Sequence, residues 1–218
     1  MTDLQVPAVL RLPEHEGRLL GAHLDRLLSW DPRALVRIVA RARALGVYAA
    51  PPMEVISFVA LPLLDPVADE IDVTARAVDV RSGIVETGGG VELALPEAVV
   101  GDSSLAVLPP MDSWQLPIAG VSGDFVPVVD EAVAEFRKRS TSGADPQRLA
   151  QEIWERPGFG GLPLRALHAA RRLGFLSDDA SRVSASTCTG WKRLTTVRGQ
   201  VFVRTVPPVG RPSLTVVR

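Results

Sequence analysis

Three segments decide how the second half of this chain is read: 145-DPQRLAQEIWER-156, 162-LPLRALHAARRLGFL-176 and 191-WKRLTTVRGQVFVRT-205. In the first, Asp145 is placed to cap a helix, Pro146 occupies the first helical position, and Leu149, Ile153 and Trp154 form the apolar face. Pro157-Gly158-Phe159-Gly160-Gly161 ends it. In the second, Leu164, Leu167, Ala170 and Leu173 repeat on one side. Arg165, His168 and Arg172 share the other side at spacings of three and four, and Gly174 supplies the stop. The third predicts two strands joined at Val197-Arg198-Gly199, with a further strand over 184–189. Upstream, 128-VVDEAVAEFRKRS-140 predicts another helix, acidic early and basic late as the helix dipole favours.

Charge sets this region apart. Up to Phe136 there are 9 Lys/Arg against 20 Asp/Glu, a formal balance of −11; from Arg137 onward there are 15 against 5, or +10. The near-neutral total therefore hides an acidic first part and a basic last part, a pattern that points to an anionic partner.

Three helices followed by a hairpin, on the segments quoted, resemble a winged-helix domain over about 75 residues; the resemblance is one of architecture and carries no diagnostic motif. It implies a helix docked in the DNA major groove and a wing on the backbone. Carried over by position, Arg165, His168 and Arg172 would face the groove, and Lys192, Arg193 and Arg198 would contact phosphate, as guanidinium groups do. The PGFGG connection is longer and richer in glycine than the tight turn of a helix-turn-helix.

The first half has a different texture. Glu14–Trp30 predicts an amphipathic helix with Leu20, Leu24, Leu27 and Leu28 on its buried face. Segment 31–46, DPRALVRIVARARALG, fits two patterns. As a helix, Asp31 caps it, Pro32 opens it and Gly46 stops it; as a strand, Val36, Ile38, Ala40 and Ala42 alternate with Arg37, Arg41 and Arg43. Three cap signals against one alternation favour helix. Strands are expected over 54–63, 70–80, 84–87 and 91–95. Gly88-Gly89-Gly90 lacks the following Lys and Ser/Thr of a phosphate loop, so a hairpin turn is expected there. Leu108–Asp124, rich in Pro, Gly and Ser, reads as the inter-domain linker, with Trp114 packing back on a domain.

The resulting expectation is an α+β protein of two parts. Residues 1–127 form an acidic domain of helices and mostly antiparallel sheet, for sensing or assembly. Residues 128–218 form a basic winged-helix-like domain that binds double-stranded DNA in transcription regulation. The alternative is a protein-protein interaction module, acting on another protein or as a homodimer, whose acidic and basic parts pair with each other without nucleic acid. An enzyme without a recognisable motif is the third reading. One cysteine, Cys188, allows neither an intramolecular disulfide nor a multi-cysteine zinc site, and His15 and His23 stand eight residues apart, too far for a shared helical metal site. No cofactor, metal or catalytic set is expected. The absence of a signal-like or membrane-spanning run points to the cytoplasm, and the near-exclusive use of arginine over lysine suits a bacterial coding bias.

Overall fold

The helix–loop–hairpin order of the second half is present, but its hairpin belongs to a sheet that runs through the whole molecule. The computed structural model describes residues 9–99 and 104–205. Sixteen main elements follow in order. They are β1 (Val9–Leu12), α1 (Glu14–Trp30), β2 (Leu35–Arg41), β3 (Ala44–Ala49), β4 (Ile56–Pro62), β5 (Ile71–Arg76), α2 (Ala77–Ser82), β6 (Ile84–Thr87) and β7 (Gly90–Ala94). Then come β8 (Gln115–Val121), α3 (Val126–Thr141), α4 (Pro146–Trp154), α5 (Leu164–Arg172), β9 (Arg182–Cys188), β10 (Trp191–Thr196) and β11 (Gln200–Arg204).

All strand pairs are antiparallel, in a three-stranded sheet β1-β7-β6 and an eight-stranded sheet β5-β2-β3-β4-β11-β10-β9-β8. The large sheet repeats one device. Helix α1 leads into the meander β2-β3-β4, and helix α5 leads into the meander β9-β10-β11. The two meanders meet at β4 and β11, paired over Gln200–Phe58, Val201–Ser57 and Phe202–Ile56. One face of the sheet and the helices enclose the main core, which includes Leu20, Leu24, Leu27, Ile38, Leu45, Leu149, Ile153, Leu167 and Leu194.

This arrangement replaces the expected C-terminal winged-helix domain and the fold built on it. A wing projects from its own small domain, whereas β9-β10-β11 is hydrogen-bonded to β8 on one side and to β4 on the other. A recognition helix leaves one face to solvent, whereas α5 buries Leu164, Ala166, Leu167, Ala169 and Ala170. The molecule is mainly antiparallel sheet.

Segment 31–46 is a hairpin, not a helix. Val36, Ile38 and Ala40 are fully buried on one face of β2 and pair across to β3 and β5 on either side. The turn falls between Arg41 and Ala44, with Ala42 at φ +48. Gly46 is not a helix stop but a strand residue crossed by an aromatic ring: a Cβ there would lie 2.8 Å from the Phe58 ring. The expected strand 70–80 is β5 followed by the short α2, and the expected linker 108–124 contains β8, the sheet's edge strand. Elsewhere the local signals match the structure. Helix α1 spans Glu14–Trp30, the Asp145 side chain accepts from Gln147 N–H at 3.1 Å, and Gly88-Gly89 turns the β6–β7 hairpin.

Candidate binding faces at the domain junction

The six residues that sequence reading singled out fall on two sides of the junction, and each has a partner within the chain. Arg165 lies on α5 with a side chain only 12% exposed. Its Nη1 donates to the carbonyls of Met53 and Glu54, both at 2.8 Å, so a helix of the second half holds the β3–β4 loop of the first. Its Nε stands 2.7 Å from Glu155 Oε1, an ion pair without hydrogen-bond alignment. His168 lies against Trp154 at 4.6 Å between ring centroids and meets Trp30 edge-on at 5.9 Å. Arg172 covers the Trp30 ring at 5.3 Å. Phe136 continues the row against Trp154. One aromatic ladder thus joins the end of α1 to α5, α4 and α3. Burial and the neighbouring Arg172 push the His168 imidazole down to about 4, so it is neutral at pH 7.

On the other face of the sheet, Tyr48, Ile56, Trp191 and Phe202 form a second apolar cluster. The connector between the halves lies over it through Leu105, Leu108 and Trp114. Arg193 stacks on Trp114 at 4.3 Å and donates to Ser186 Oγ at 3.1 Å. Arg204 stacks on Trp191 at 4.6 Å and donates to the Val107 carbonyl at 3.0 Å. Arg37 holds the same connector by the Leu105 carbonyl at 2.8 Å while gripping Asp72 through two nitrogens. Lys192 donates to the Gly161 carbonyl, and Arg198 binds Ser177 and Asp179 beside the β10–β11 turn. Hydrogen bonds from the Ser177 hydroxyl first, then from Ser181 and Arg198, hold the Asp179 carboxyl far below the usual carboxylate range.

The PGFGG connection has a structural use. Gly160 has φ +61, and a Cβ there would stand 2.3 Å from that of Ala185 on β9, so the loop presses directly on the sheet. Trp191 is buried in the outer cluster, Trp114 packs on Phe202, and Cys188 is a free, half-buried thiol. Among the described residues no group of three His, Cys, Asp or Glu could hold a metal ion. No helix among them is long and apolar enough to cross a membrane.

Two features missed in the sequence remain open. The first is the outer edge of β8, where Ile118 is 52% and Val121 38% exposed. The second is a groove of about 860 Å³ on the helical face, between α1 and β4 of the first half and the α5–β9 and β10–β11 turns of the second. His23 lies in its floor, 3% exposed, stacked on Phe175 at 5.4 Å, with neither ring nitrogen hydrogen-bonded. Burial first, and Arg26 second, lower this imidazole to about 4. The sequence hint for the first was the apolar Ile118–Val121 run beside Pro117; nothing local marks the second.

Residues 6–105 match the model of a domain of unknown function (DUF8010), and residues 109–208 match that of another domain of unknown function (DUF8185). No curated protein matches the chain. Among solved structures, the DNA polymerase sliding clamp from Caulobacter crescentus superposes with a TM-score of 0.57 at 11% identity, over 96% of this chain and 69% of that one. The DNA polymerase III subunit beta from Pseudomonas aeruginosa gives 0.55 at 12% identity, over 94% and 66%. That from Borrelia burgdorferi gives 0.55 at 6% identity, over 96% and 67%. The chain therefore has a sliding-clamp fold along nearly its whole length and spans about two thirds of the length of these proteins. That likeness, which covers both halves, removes the winged-helix reading of the second and the transcription-regulator role drawn from it.

Proposed function

We propose that this protein is a clamp-like assembly scaffold whose partners are other protein chains, a second copy of itself first among them. The observation that carries this reading is the β8 edge. The eight-stranded sheet ends there on a strand whose only pairing partner among the described residues is β9, with Ile118 and Val121 exposed beside it. An unpaired edge is a template for adding a strand from another chain, and apolar side chains there favour pairing over solvation. The opposite edge, β5, is different: Val99 N–H donates to the Thr74 carbonyl at 2.7 Å, so another segment of the chain runs beside it. The ties across the junction support the same reading: Arg165, on the Met53 and Glu54 carbonyls, and Arg172, on the Trp30 ring, use cations of the second half to hold the halves together. Since the neighbours of this fold are named as sliding clamps and polymerase subunits, we assign the partners to proteins of DNA metabolism, and the setting to the cytoplasm.

Sedimentation equilibrium of the full chain tests the reading. Wild type should associate with rising concentration, and Ile118→Asp should remain monomeric with an unchanged circular dichroism spectrum. A wild-type chain that stays monomeric at the highest attainable concentration overturns self-association by this edge.

A further inference from the structure

The groove at the junction has a composition that selects its occupant. It is walled by both halves, and Arg26, Arg171 and Arg198 contribute to it together with His15 and His23, whereas no Asp or Glu lines it. This bias stands in a chain whose total formal charge is −1. Arg198 is offset by Asp179 at 3.1 Å and Arg171 loosely by Asp130 at 3.8 Å, but Arg26 has no ion-pair partner among the described residues. Its guanidinium reaches across to the second half, packing where a side chain on Gly174 would otherwise sit. Apolar surface lies between the cations: Leu19 on α1 is 46% exposed and Val197 at the β10–β11 turn 67%.

We propose that this groove binds an extended acidic peptide carrying apolar side chains, supplied by a partner protein. The shape argues for a chain and against a compact anion. His15 and Arg26 are eleven residues apart on α1, about 16 Å at the helical rise, so the polar groups of the groove are spread along a strip and do not converge on one point. About five extended residues span that distance. The floor supplies the second requirement. The His23 imidazole is neutral at pH 7, so it holds one N–H donor and one bare nitrogen, both without partners in a nearly sealed position. A peptide backbone offers the matching carbonyl and N–H, while its carboxylates meet the arginines and its apolar side chains cover Leu19 and Val197. The inference rests on the scaffold reading and names a class of partner for it; the groove lies on the helical face, apart from the β8 edge, so the two fail separately.

A fluorescein-labelled peptide of alternating glutamate and leucine, titrated against the full chain by anisotropy, is the probe. It should bind, weaken with salt, and bind more tightly than its glutamine-leucine and lysine-leucine counterparts. Arg26→Glu should weaken it about tenfold or more, and Arg148→Glu, on α4 outside the groove, should leave it unchanged. His23→Phe, which keeps the stack on Phe175 but removes both nitrogens, should weaken it without altering salt dependence. Circular dichroism confirms folding of each variant, and Arg171→Glu replaces Arg26→Glu if that variant does not fold. No preference for the acidic peptide, binding indifferent to both arginine reversals, or displacement by short duplex DNA overturns the proposal. Loss of peptide binding with self-association intact removes this site alone.

Discussion

The arginines within the first half and those at the junction use different partners. In the first half the partners are carboxylates: Arg11 with Asp65, Arg37 with Asp72, Arg41 with Glu70, and Arg81 with Asp25. At the junction, the second half's cations rest on carbonyls and aromatic rings: Arg165 on Met53 and Glu54, Arg172 on Trp30, Arg193 on Trp114, Arg204 on Trp191. Carbonyl and ring contacts leave the formal charge in place, so a sequence count registers a basic domain where the molecule has structural ties. Net charge and free donors are different quantities: a tied guanidinium keeps its field but has fewer N–H groups to offer a ligand.

The contrast can be broken most sharply at Arg165. Replacing it with Ala should cost about 2 kcal/mol, because two carbonyls of the β3–β4 loop lose a charged donor and the helix loses its hold on the other half. Urea denaturation measures this, and a loss below about 1 kcal/mol would show the tie to be decorative.

Acid should act next. His23 and His168 both sit at about 4 in the folded chain and near 6.5 when unfolded, so the unfolded state takes up protons first. The stability they leave intact at neutral pH is therefore lost as pH falls from about 6.5 towards 4, approaching about 3 kcal/mol for the more deeply buried His23. Thermal melts across that range should fall steeply for wild type and less for His23→Phe.

Gly160→Ala should follow at about 2 kcal/mol, since the backbone is left-handed there and the new methyl meets Ala185. The smallest effect belongs to the surface cluster of Arg139, Glu135, Glu152 and Arg156. Arg156 and Arg139 lower the Glu135 carboxyl to about 2, yet all four groups are substantially solvated. Arg139→Ala should lower the thermal midpoint least of these variants, and high salt should shrink the difference further.

Local chemistry was legible in the sequence where it was self-contained. The leucine stripe of α1, the Asp145-Pro146 start of α4, the Gly88-Gly89 turn and the β10–β11 hairpin follow from residues within a few positions of one another. Segment 31–46 misled because Asp31-Pro32 and Gly46 imitate helix ends. Pro32 in fact sits in the turn before β2, and Gly46 is small to admit the Phe58 ring, a residue of the next strand. Strand β8 was hidden by Pro117 and Gly120, which weaken a strand signal and are tolerated at a sheet edge. The winged-helix reading foundered on one non-local fact: the hairpin pairs with β4, some 140 residues earlier. No periodicity within 145–205 could express that. The candidate groove was out of reach for the same reason, being composed of side chains from opposite ends of the chain.

The pairing of β4 with β11 also sets a timetable. Strand β4 ends at Pro62 and its partner begins at Gln200. At ribosomal speeds of about 5–20 residues per second, β4 stands with one edge bare for on the order of 10–30 s before β11 exists. Throughout that interval the strand's own apolar residues, Ile56 and Phe58 among them, lack their partners from the second half. A nascent first half is therefore an aggregation-prone intermediate until the last strand of the sheet is made, and the cell meets that exposed edge in every molecule it synthesises.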